Sequence, residues 1–109
     1  INDARVSIST VTYQNTLDSV IANVLSKGWP ANRILIGALY WTAIDISGYV
    51  AACLAVAQKY HTLYADLKTL IAAACNPTTD YISGDNVHPT TNGHQIIANI
   101  MQTLSLSPQ

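Results

Sequence analysis

A chain of 109 residues, half of them apolar, is enough for one small domain with a core of its own or for part of a larger one. Charged residues make up only 10%, against roughly 25% in an average soluble domain. The formal net charge of -1 excludes electrostatic attraction to nucleic acid or to an anionic membrane surface, and the apolar stretches YVAACLAVA and LIAAAC fall far short of the roughly 20 residues that span a bilayer.

Across residues 15–28, Leu17, Val20, Ile21, Val24 and Leu25 recur at helical spacing, with Asn15 or Thr16 as the N-cap and Gly28 then Pro30 as the stop. The run Ile34, Leu35, Ile36 is short, continuous and apolar, the pattern of a parallel strand covered on both faces. Residues 46–60 are apolar nearly all round and predict a second, deeply packed helix. A short strand over 62–65 follows, and Asp66 then caps a short helix over 67–74 that ends at the CNPTTD segment. The last helix begins near Thr91 and carries Ile96, Ile97, Ile100, Met101 and Leu104 on one face, with its LSPQ tail expected to fray or lead outward.

Helix and strand in alternation predict an α/β domain with a parallel sheet and right-handed crossovers. Two strands are too few for a stable doubly wound sheet, so the sheet is expected to be completed by residues outside this chain. The chain opens on Ile1 with neither an initiator Met nor a signal peptide, and an upstream segment is expected to have been removed. Low charge with many Thr, Ser and Asn favours a secreted or viral surface setting. Cys53 and Cys75 lack metal-type spacing; Cys53 reads as a buried, inert thiol, with a disulfide between the two as the lesser alternative.

Ligands of open α/β sheets sit beyond the carboxyl ends of the strands. The loop after Ile36 brings Gly37, Tyr40 and Trp41 to that edge, and the long loop over 76–89 brings Asp85 and His88. Pro89 disfavours the helical region for His88, which is then extended, its imidazole directed away from the helix that follows. A carboxylate three residues earlier on a turning loop reaches Nδ1 and selects the tautomer that leaves Nε2 free as a base. The plainer alternative is a solvated turn, because Asp-Asn and His-Pro are ordinary turn pairs. A metal held by Asp85, His88 and His94 would lack any further well-placed ligand. Tyr40 and Trp41 are either pocket-lining or core aromatics.

The pattern D-x-x-H-P with a downstream G-H opening a terminal amphipathic helix resembles the last conserved block of the SGNH hydrolases, also called the GDSL esterase/lipase family. Residues Ile1 to Asp3, "IND", look like that family's G-x-N-D block without its glycine, and the P-A-x-R-I-L-I segment, the Y-x-x-A helix and the short strand ending in an Asp follow the same order. The resemblance implies a three-layer α/β/α flavodoxin-like fold of which this chain is the C-terminal portion. It implies His88 as general base and then general acid, Asp85 as its orienting partner, Asn2 as an oxyanion donor and Asp3 as structural, with no cofactor.

The family's nucleophilic serine and second-block glycine have no counterpart here. None of Ser7, Ser9, Ser19, Ser26, Ser47, Ser83, Ser105 and Ser107 lies in a G-D-S or G-x-S-x-G setting. The serine is therefore expected on a companion N-terminal chain. The implied chemistry is hydrolysis of carboxylic esters through an acyl-enzyme, with acetylated carbohydrates and short-acyl lipids both open as substrates and Tyr40 and Trp41 as candidate substrate contacts. The alternative is a non-catalytic carbohydrate-binding or structural subunit built on a degenerate hydrolase fold.

Overall fold

In the computed structural model, residues 2–38, 40–41 and 44–109 are described, Asn2 and Arg5 by their backbone alone. The elements in chain order are α1 (Asn2–Arg5), α2 (Thr10–Ser26), β1 (Leu35–Gly37), α3 (Ser47–Tyr60), β2 (Leu63–Ala65), α4 (Leu67–Ala74) and α5 (Thr91–Thr103). A single 3-10 turn, Ala31–Arg33, leads into β1, and one π-turn, Pro77–Tyr81, separates α4 from the loop before α5. The architecture is mixed α/β, mostly helical, around a small parallel sheet. None of the described helices is long and apolar enough to cross a membrane.

β1 and β2 pair in parallel with Leu35 opposite Leu63, Ile36 opposite Tyr64 and Gly37 opposite Ala65. Such a pairing needs a crossover, and α3 provides it. Alternation along the strands sends side chains to opposite faces. Ile36 and Tyr64 pack with Ile21 of α2 and Cys53, Val56 and Ala57 of α3. Leu35 and Ala65 pack with Leu67 and Ile71 of α4, Trp41, Tyr81, Ile82, and Ile97, Ile100 and Met101 of α5. Each face of the strand pair is thus covered by helices, which is why the run Ile34, Leu35, Ile36 carries no polar residue.

Two expectations are corrected. The first concerns the start of α2, which is Thr10; its N-cap is Ser9, whose hydroxyl accepts from Thr12 N–H at 3.1 Å, while Asn15 and Thr16 lie inside the helix. The β-branched residues Thr10, Val11 and Thr12 are weak helix formers. The first turn is held instead by Tyr13, whose ring meets Tyr49 of α3 edge to face at 5.2 Å and whose hydroxyl lies 3.3 Å from Cys53 Sγ. The second concerns the LSPQ tail, which does not lead outward. Pro108 bridges Leu63 in antiparallel fashion, Gln109 N–H donates to Thr62 O at 3.0 Å, and Leu104 and Leu106 pack on the core. The tail thereby satisfies backbone groups on the edge of β2 that faces away from β1.

Other local signals act as their chemistry dictates. Asp66 caps α4 by accepting from Thr69 N–H at 3.1 Å and from the Thr69 hydroxyl at 2.7 Å. α2 ends at Ser26 with Lys27 as its C-cap, and Gly28 just beyond takes a φ of 90° that is open to glycine, with Pro30 two residues on. Cys53 is buried and Cys75 half-buried, and both are free thiols.

Candidate active site

The loop after the π-turn is closed at both ends by its own backbone. Ile82 and Pro89 form an antiparallel bridge, Ser83 N–H donates to His88 O at 2.8 Å, and Asn86 N–H donates to Ser83 O at 2.9 Å to complete a tight turn. Asn86 takes a positive φ of 57°, a conformation that Asn tolerates better than most residues. The loop is anchored from below by Tyr81 and Ile82, both buried. From the side, the buried Trp41 indole N–H donates to Asn86 O at 2.6 Å. Trp41 follows the carboxyl end of β1, so the bond ties the loop to that end of the strand pair.

The turn presents Asp85 and His88 as a pair. His88 Nδ1 lies 2.6 Å from Asp85 Oδ2. Asp85 Oδ1 accepts from the Ser83 hydroxyl at 2.5 Å and from the N–H groups of Val87 and His88, each at 2.9 Å. Ser83, then the His88 imidazole, then the two backbone N–H groups hold the Asp85 carboxyl well below the usual carboxylate range. An ionised carboxylate can only accept, so Nδ1 is the protonated nitrogen of a neutral His88 ring and Nε2 keeps its lone pair. The His88 side chain is 74% exposed, and among the described residues no group bonds its Nε2.

α5 fixes where the pair sits. Thr90 caps the helix by accepting from Gly93 N–H at 2.9 Å, and Thr90 N–H donates to Tyr81 O at 2.8 Å. The Thr90 hydroxyl and the Asn92 amide both donate to Asp80 O, at 3.2 and 3.0 Å. These bonds lock the helix N-terminus to the π-turn on the far side of the loop.

The predicted residues fall as follows. Asp85 and His88 are brought together. Tyr40 is half-buried and meets Tyr81 edge to face at 5.7 Å. Trp41 is 5% exposed, and what it offers the site is its hold on the loop. The side chain of Asn2 lies outside the described residues. Asp3 lies with Tyr13, Tyr49 and Cys53 around a cavity of about 90 Å³ that reaches Gly37 and Ala38 at the end of β1. Sequence reasoning missed Ser83 as a partner of Asp85, although the S-x-D spacing in a turn was a usable signal for a local hydrogen bond. Ser83 bonds Asp85, on the side of the pair away from Nε2, so it is not placed as the attacking serine. Among the described residues no three His, Cys, Asp or Glu side chains gather to hold a metal ion. No family model, curated protein or solved structure matches the chain.

Proposed function

We propose that this chain is the part of a serine-type carboxylic ester hydrolase that carries the general base, in the manner of the SGNH family its sequence resembles. The observation that carries the reading is the Asp85–His88 pair: a carboxylate held ionised, 2.6 Å from Nδ1, behind an imidazole whose other nitrogen stands open. Such a pair takes the proton of a serine hydroxyl as it attacks a carbonyl carbon, stabilises the imidazolium that results, and returns the proton to the leaving alkoxide. Asn2 is proposed to donate its side-chain amide to the oxyanion, and Tyr40 to lie near the substrate. Esters of carbohydrates and short-acyl lipids are the substrate classes in view.

The serine is proposed to lie on a companion chain that completes a three-layer α/β/α sheet. Leu63 N–H donates to Ile34 O and Ala38 N–H to Ala65 O, so alternate peptide groups of β1 face β2. By that alternation the peptide groups of Leu35 and Gly37 turn to the other edge, where no strand pairs with them among the described residues. Two strands seldom stand alone, and a further parallel strand there would satisfy these groups.

The second reading, a non-catalytic binding subunit, is favoured by one fact: among the described residues no serine hydroxyl bonds His88. Hydrolysis of p-nitrophenyl acetate by the intact protein separates the two. Turnover that falls by roughly 10²–10⁴-fold in His88→Ala supports the hydrolase. Absence of turnover, or turnover indifferent to His88, favours the binding subunit.

A further inference from the structure

The two oxygens of Asp85 have unequal surroundings. Oδ2 faces His88 Nδ1, while Oδ1 takes three donors among the described residues, of which the Ser83 hydroxyl is the closest at 2.5 Å and the only one that is a side-chain group. The Val87 and His88 N–H groups approach from the chain that follows Asp85, and Ser83 approaches from the chain before it. A carboxylate held from one side alone can still swing about its Cβ–Cγ bond, a soft, roughly two-fold torsion. Donors from both sides remove that freedom. The backbone of Ser83 is itself fixed, its N–H donating to His88 O and its carbonyl accepting from Asn86 N–H. The hydroxyl is therefore presented to Asp85 by the same turn that presents the imidazole.

We propose that Ser83 is a positioning residue: its hydroxyl sets the rotation of the Asp85 carboxylate so that Oδ2 is delivered to His88 Nδ1. The proposal rests on His88 being the base, and it assigns a role that the D-x-x-H-P pattern does not contain. A short bond from a hydroxyl to an ionised carboxylate is among the stronger protein hydrogen bonds, so its loss should be visible in both partners of the pair. It also explains why the carboxyl stays ionised, since the Ser83 hydroxyl is the leading cause of its lowered pKa. The other ionisable groups on the adjoining elements are Asp80 and Tyr81 of the π-turn, Tyr40 beside Trp41, and His94 of α5. Asp80 is engaged by Asn76 N–H and the Thr79 hydroxyl, Tyr81 is buried against Tyr40, and His94 is exposed.

The test is NMR of the intact protein, following the Asp85 carboxyl carbon and the His88 ring nitrogens with pH in wild type, Ser83→Ala and Ser83→Thr. Ser83→Ala should move the Asp85 titration upward by about one unit and lower the share of His88 protonated at Nδ1 in the neutral ring. Ser83→Thr, which keeps the hydroxyl, should restore both. If esters are hydrolysed, kcat should fall several-fold in Ser83→Ala with KM little changed, and recover in Ser83→Thr. Unchanged Asp85 and His88 signals in Ser83→Ala would overturn the proposal, as would a threonine variant that behaves like alanine. The ring-nitrogen readout needs no turnover. A protein that hydrolyses no ester, but whose His88 tautomer still depends on the Ser83 hydroxyl, upholds the positioning role and removes the hydrolase reading alone.

Discussion

Replacing Gly93 by alanine tests whether the N-terminus of α5 is locked to the turn that carries the site. Helix propensity alone says that Gly93→Ala in a helix should stabilise by about 1 kcal/mol. The structure says the opposite. A Cβ on Gly93 would lie 2.3 Å from the backbone carbonyl oxygen of Tyr81 and 3.1 Å from Pro89 Cβ. Backbone cannot rotate aside as a side chain does, so α5 must withdraw. Overpacking of this kind costs about 1–3 kcal/mol, and a rigid partner places it at the upper end. Withdrawal also stretches the 2.8 Å bond from Thr90 N–H to Tyr81 O, worth about 1 kcal/mol. Less the propensity gain, the net loss is about 3 kcal/mol, or a fall in melting temperature of roughly 10 °C or more for a domain of this size. Thermal unfolding of the intact protein by circular dichroism reads it directly. Gly84→Ala is the control, because its Cβ would meet nothing within 4 Å, and its melting temperature should be unchanged or slightly raised. A Gly93→Ala protein as stable as wild type, or more so, would refute the close approach.

Trp41→Phe keeps an aromatic ring in the core but removes the N–H that holds Asn86 O; a loss of about 1–3 kcal/mol in urea unfolding is expected, together with slower ester hydrolysis if the proposed function holds, and an unchanged midpoint would count against the anchor. Asp66→Ala removes both bonds to Thr69 and should cost about 1 kcal/mol in the same assay, a cost that Asp66→Asn should largely avoid. The depressed Asp85 carboxyl contributes stability that is fully present above the ordinary aspartate value of about 3.9 and is lost as pH falls toward its folded value. Denaturation midpoints across the acid range should therefore fall more steeply for wild type than for Asp85→Asn, and parallel curves would show that the pair contributes nothing to the fold.

What was legible in the sequence was written in near neighbours. α4 could be read to within a residue because Asp66 caps it and the Asn76–Pro77 pair lies just beyond its end, both local effects. Asp85 and His88 were legible for the same reason: a three-residue spacing with proline behind it restricts the chain enough to predict a meeting. The start of α2 was harder to read: its Ser9 cap is local, but the β-branched run Thr10, Val11, Thr12 behind it argues against a helix, and the first turn is held by Tyr13 touching Tyr49 and Cys53, residues far along the chain. The return of the tail was hidden likewise, since nothing in LSPQ announces a partner at Leu63. From sequence, Trp41 reads equally as a pocket wall or a core ring. Its indole N–H is what ties the core to the loop, and that bond joins positions 45 residues apart. Ser83 is a local signal too, since a hydroxyl two residues before a carboxylate on a turn can bond it, but it reads as a partner of Asp85 and not as a nucleophile only once the turn is seen.

The most direct measurement is labelling of the intact protein with a fluorophosphonate that reacts only with activated serines, followed by peptide mapping in wild type and His88→Ala. On the proposed reading a single labelled serine is expected, on the proposed companion chain and not among the eight serines of this one, with labelling abolished or slowed by roughly 10²-fold or more when His88 is removed. No labelled serine in wild type, or labelling that proceeds equally well without His88, would contradict the assignment of the Asp85–His88 pair as the base of a serine hydrolase.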